Sequence, residues 1–118
     1  MFTTSPLSDG FGARLYGADL ATPLADDDFA AIEAAFYAAQ VLVLPAQHLT
    51  PSQFVTWAHR LGVPEPHVID QFHHPADPNI LILTNRRNDR GEPLGLADAG
   101  TYFHTDYSYL PVPARATT

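Results

Sequence analysis

Four consecutive residues, Thr50-Pro51-Ser52-Gln53, constrain this chain more than any others, because together they start a helix. A threonine cap with glutamine three residues later reciprocally satisfies two of the backbone donors that a helix N-terminus leaves open. Proline at the first helical position costs nothing, since its missing N–H would have had no partner there. Phe54, Trp57, Ala58 and Leu61 then recur as one apolar stripe, and Gly62 followed by Pro64 stops the run. The pattern predicts a helix over residues 51–61 with one face to bury.

A second helix is predicted over residues 26–39. Asp26, Asp27 and Asp28 place negative charge at the positive end of the helix dipole, and Phe29, Ile32, Ala35, Phe36 and Ala39 follow at helical spacing. Residues 41–44 (VLVL) and 80–83 (ILIL) are short apolar runs, each flanked by residues that break a helix or favour a turn, and read as buried strands. Residues 11–20 suggest a short strand entering a turn around Gly17. Residues 102–110 (YFHTDYSYL) are rich in β-formers, and residues 113–118 alternate small apolar and polar side chains like a strand interrupted in mid-course. Residues 85–100 are polar, glycine-punctuated and longer than most connections, as functional or mobile loops are.

This mixture of helices and short strands points to an α+β fold. With 46% hydrophobic and 16% charged residues over 118 positions, the chain has the make-up of a globular protein and the size of a single domain. Thirteen acidic against six basic residues give a net charge of −7, which argues against nucleic acid or an anionic membrane surface as partner. Cysteine is absent, so disulfides and thiolate metal sites are excluded. The opening residues lack a basic and apolar leader pattern, and no run approaches a membrane span, so the expected location is cytoplasmic.

His104-Thr105-Asp106 is the constellation with chemical content. On a strand, residues i and i+2 project to one face, so the imidazole of His104 and the carboxylate of Asp106 would converge while Thr105 faces away. An imidazole and a carboxylate joined by a distant second histidine form the facial triad that leaves positions open on Fe(II) for a co-substrate and O₂. Spacing alone is weak, since a His-x-Asp arises by chance about once in two chains of this composition. A strand histidine bonded to its neighbouring aspartate is the bland alternative.

The surroundings add more. Residues 12–24 (GARLYGADLATPL), 40–62 (QVLVLPAQHLTPSQFVTWAHRLG) and 103–117 (FHTDYSYLPVPARAT) resemble, in order, three blocks of the taurine dioxygenase and 2,4-dichlorophenoxyacetate dioxygenase family. The resemblance implies a double-stranded β-helix, a jelly-roll and cupin-like fold, here partial, with the N-terminal helices packed on the sheet. It implies Fe(II) held by His104, Asp106 and a second, downstream histidine. It also implies 2-oxoglutarate as co-substrate, paired with a downstream arginine, and O₂ as oxidant for hydroxylating a small, acidic organic molecule with release of succinate and CO₂. Family members are more than about twice this length, beyond what one compact sheet of so few strands needs. The chain is therefore expected to be the N-terminal part of one incomplete dioxygenase domain, residues 1–118, and to be inactive alone.

His67, five residues after Gly62, resembles a histidine that contacts the acidic group of the substrate in the taurine enzymes; the alternative is an ordinary loop histidine. Those enzymes place asparagine four residues before the metal histidine, where Gly100 stands here, which argues against taurine as substrate. His67, His73 and His74 lack the spacing of a dedicated metal cluster. His48 and His59 read as surface residues, Tyr107 and Tyr109 as core packing, and Arg86, Arg87 and Arg90 as solvated loop charge. Two rival readings remain: a catalytically inactive truncated relative acting as a binding module, and a small complete cupin-like protein drawing its last ligand from His48, His59 or His67. The last has too few strands to close a barrel.

Overall fold

Both helices form where their local signals lie. In the computed structural model, which describes residues 1–118, α1 spans Asp26–Ala39 and α2 spans Pro51–Leu61. The Thr50 N–H donates to Gln53 Oε1 at 2.8 Å and the Gln53 N–H to Thr50 Oγ1 at 3.3 Å, which is the complete reciprocal cap. α1 has no side-chain cap at Ala25 and relies on its three aspartates, while Gln40, at φ 64°, turns the chain out of the helix and donates to Phe36 O at 2.7 Å.

The chain divides into two compact units, Met1–Phe54 and Val55–Thr118. In the first, β1 (Thr3–Ser8) and β2 (Phe11–Tyr16) form an antiparallel hairpin about Asp9-Gly10, and β3 (Leu42–Val43) joins β2 in parallel after the α1 crossover. The sheet order is β1-β2-β3. α1 lies on β2 and β3, and Leu15 and Ile32 are each 2% exposed. Burying one such aliphatic side chain is worth about 1.5–3 kcal/mol. The 41–44 run, expected to be buried on both sides, is one-sided: Val41 and Val43 are exposed, because β3 is a sheet edge covered by a helix on one face only. Gln47 ties the Gly17–Leu20 loop to this sheet, accepting from Leu20 N–H at 2.9 Å and donating to Ala18 O at 2.9 Å.

In the second unit a 3₁₀ turn (Asp70–Phe72) leads into β4 (His73–His74), which pairs antiparallel with β5 (Asp77–Leu81). The run 80–83 is not a buried strand: β5 ends at Leu81, its side chains are half-buried, and Leu83 is exposed. Residues 85–100 are more ordered than a loop. Leu96 N–H donates to Ile82 O at 2.8 Å and Leu94 N–H to Arg86 O at 3.1 Å, so the segment doubles back on itself. Asn88 Oδ1 closes its tip, accepting from Arg90 N–H at 3.0 Å and Glu92 N–H at 2.9 Å, while the Arg87 guanidinium donates to Gly91 O at 2.7 Å. Gly95 permits the pairing, since a Cβ there would lie 2.6 Å from Ile82 O.

Neither 102–110 nor 113–118 forms a strand. Tyr107 adopts φ 54°, in the left-handed region where an aromatic residue is rarely found, and ends any extended course there. No strand in the chain offers either segment a ladder of backbone hydrogen bonds, and an unpaired extended run has nothing to hold it. The architecture is α+β, with two helices and two small sheets. No helix is long and apolar enough to cross a membrane.

Candidate metal centre

His104 and Asp106 converge, although by a turn and not a strand. His104 Nε2 lies 3.1 Å from Asp106 Oδ1, with the two side chains 41% and 40% exposed. The other ring nitrogen is engaged: His104 Nδ1 is 2.8 Å from Tyr102 O, and a carbonyl can only accept, so Nδ1 carries a proton. In the neutral ring Nε2 then presents a lone pair toward a carboxylate. Two acceptors at 3.1 Å need a cation between or beside them, either a proton on Nε2 or a metal ion. The imidazole pKa is accordingly raised above its ordinary 6.5. The Tyr102 carbonyl is the main cause, partial desolvation opposes it, and the Asp106 charge and hydrogen bond add to it.

These donors suit a divalent ion of borderline hardness, one imidazole nitrogen plus one carboxylate oxygen, open to solvent. No third histidine, aspartate or glutamate joins them to make a cluster within these 118 residues. His48 and His59 are exposed, and His67, His73 and His74 form no metal-type group. Their ring nitrogens serve the backbone instead: His67 Nδ1 accepts from Ile69 N–H at 3.1 Å, His74 Nδ1 accepts from Ala76 N–H at 3.0 Å, and His73 Nε2 lies 2.7 Å from His67 O.

Tyr107 links the His67 segment to the His104–Asp106 turn. Its hydroxyl donates to Glu65 O at 3.1 Å and its ring meets His67 edge-on at 6.3 Å between centroids. Burial, chiefly, pushes the phenol pKa up, with Tyr109, Glu65 and Asp106 adding to it, so the hydroxyl stays a donor through neutral pH. Tyr109, expected in the core, is instead exposed, its ring 5.9 Å from that of Tyr107. Gly100, at φ 71°, faces the imidazole: a Cβ there would lie 3.0 Å from His104 Cε1, so this ring orientation goes with glycine at position 100. Sequence reasoning missed two further groups at the pair. One is the Tyr102 carbonyl, two residues before the histidine. The other is the Thr117 hydroxyl, which donates to Asp106 Oδ2 at 2.5 Å from eleven residues away, a distance no local pattern could signal.

An α+β chain that brings one imidazole and one carboxylate within 3.1 Å of each other has two of the three donor groups of a mononuclear two-histidine, one-carboxylate centre. The chain belongs to the taurine catabolism dioxygenase TauD, TfdA family, whose pattern matches residues 3–118. It is 31% identical over 116 residues to the (S)-phenoxypropionate/alpha-ketoglutarate-dioxygenase of Sphingobium herbicidovorans, covering 97% of this chain. To the protein of the same name from Delftia acidovorans it is 41% identical over 121 residues, covering 94% of this chain. It spans 38% of the length of each of these relatives. A Burkholderia xenovorans structure described as an alpha-ketoglutarate dependent 2,4-D dioxygenase aligns over 98% of this chain and 36% of its own, at 26% identity and a TM-score of 0.65. The structure of AAD-2 with Mn(II) and N-oxalylglycine, an analogue of 2-oxoglutarate, aligns over 52% of this chain and 24% of its own, at 27% identity and a TM-score of 0.51. The family is one of enzymes that use Fe(II) and 2-oxoglutarate.

Proposed function

We propose that these residues supply the first two protein ligands, His104 and Asp106, of an Fe(II) centre in a 2-oxoglutarate-dependent dioxygenase that hydroxylates a small, acidic organic substrate. The observation that carries this reading is the approach of His104 Nε2 to Asp106 Oδ1 at 3.1 Å with Nδ1 already engaged by Tyr102 O. On this reading residues 1–118 belong to one dioxygenase domain of jelly-roll type, whose second histidine and 2-oxoglutarate-binding arginine lie outside these residues. The phenoxypropionate names of the relatives support an aromatic carboxylic acid as substrate.

Bound there, iron would supply oxygen activation coupled to decarboxylation of 2-oxoglutarate to succinate and CO₂. The chain's own part is geometric and electrostatic. Tyr102 O fixes the imidazole tautomer so that Nε2 is the donor atom, and Asp106 contributes the negative charge that favours a divalent ion over a proton. His67, brought near the turn by Tyr107, is the group proposed to meet the substrate carboxylate.

A second reading is a non-catalytic binding module that holds a divalent ion loosely through the same His104–Asp106 pair. Anaerobic addition of Fe(II) and 2-oxoglutarate to the full polypeptide encoded by the gene separates the two. A visible charge-transfer absorption is expected for the dioxygenase. Its absence, with Fe(II) bound, would replace the first reading by the second.

A further inference from the structure

The carboxylate of Asp106 has two oxygens, and only one faces His104. Oδ2 accepts the hydrogen bond of Thr117 Oγ1 at 2.5 Å, short enough for a charge-assisted O–H to carboxylate bond. Thr117 is itself anchored through its neighbours. Thr118 Oγ1 accepts from the Trp57 indole N–H at 3.1 Å, and the Arg115 guanidinium donates to Leu61 O at 3.4 Å. Trp57 is 8% exposed, the one buried large apolar side chain of the second unit. Residues 115–118 are thus pinned to α2 on both sides of Thr117, and from there Thr117 reaches the carboxylate.

We infer that Thr117 is a positioning residue for the metal pair: its hydroxyl holds Asp106 Oδ2 and so commits Oδ1 to the ion shared with His104. The inference rests on the reading of His104 and Asp106 as metal ligands. A carboxylate free to rotate would spread its charge over several orientations, and an exposed aspartate has no other restraint on Oδ2 in this structure. A group bonded to a ligand in this way sets metal affinity without touching the metal. It also relieves the sequence of any need for a strand to hold the two ligands in register, since the turn is fixed by Thr117 and by Tyr102 O.

The test uses the full polypeptide encoded by the gene, with Mn(II) as probe, followed by the loss of free-ion EPR signal. Thr117→Val keeps the shape and removes the donor, Thr117→Ser keeps the donor, and Thr105→Val makes the same chemical change between the two ligands where no bond to them is lost. Thr117→Val is expected to weaken Mn(II) binding about 10-fold or more, Thr117→Ser to restore it, and Thr105→Val to leave it unchanged. The carboxyl ¹³C resonance of Asp106, read without metal at fixed pH, is expected to shift in Thr117→Val alone. Wild-type affinity in Thr117→Val, or equal losses in Thr117→Val and Thr105→Val, would overturn the inference. If the wild-type protein binds no Mn(II), the ligand reading fails, and the Asp106 resonance decides the Thr117 contact: an unmoved signal refutes it.

Discussion

The two units of this chain are held together in different ways. In Met1–Phe54 the fold is backbone-laddered: a hairpin, a crossover helix and a returning strand enclose Leu15 and Ile32. In Val55–Thr118 regular structure is sparse, Trp57 is the one buried large apolar side chain, and much of the chain is fixed by side chains bonding to backbone, as at Asn88, Arg87 and Tyr107, or to one another, as Trp57 does to Thr118. The two ligands proposed above, His104 and Asp106, both lie in the second. Segments with few buried contacts open most easily, and binding groups are drawn disproportionately from them. The first unit therefore reads as scaffold, and the second as a site whose geometry depends on individual hydrogen bonds.

The contrast can be broken most directly at the pair itself. Asp106→Ala in the full-length polypeptide should reduce succinate formation by about 100-fold or more while leaving the thermal transition in place; retained turnover would remove Asp106 from the ligand set. Ile32→Ala should do the opposite, lowering stability by about 2–5 kcal/mol in urea titration without altering Mn(II) affinity of the folded protein. A loss of Mn(II) binding in that variant would show that the scaffold and the site are not separable.

Protonation gives an intermediate effect. The folded pKa of His104 lies above 6.5, so the proton competes with metal at neutral pH, and Mn(II) affinity should fall about tenfold per pH unit below that raised value. For the metal-free protein the sign is reversed. The raised pKa contributes stability that is fully present below 6.5 and fades as pH rises through the folded value. An NMR titration of His104 would show both, and Asp106→Asn should move its pKa down. The smallest effect belongs to the helix start: Thr50→Ala should cost about 1 kcal/mol by removing the cap, with no change at the site.

Both helices were legible because their signals are local. The aspartate run gave residues 26–39 and the capping box gave 51–61, and the structure places α1 and α2 there. β1 was not legible: Thr3–Ser8 contains Pro6 and little apolar alternation, and it is held by pairing with β2 and not by its own composition. The closeness of His104 and Asp106 was anticipated for the wrong local reason. Spacing of two along a strand was expected to align them, whereas a left-handed Tyr107 and a bond from His104 Nδ1 to Tyr102 O accompany their approach outside any strand. Gln47 and Thr117 could not have been found, because each acts across a separation that only the folded chain closes.

Pro6 has one more consequence. β1 is the outer strand of its sheet, paired with β2 on one side and open on the other. An open edge is an invitation for another extended chain to dock, and a residue with no N–H leaves a gap in any such ladder midway along β1. That margin is thereby protected against runaway cross-β assembly, a safeguard placed in the first unit and well away in sequence from the His104–Asp106 pair.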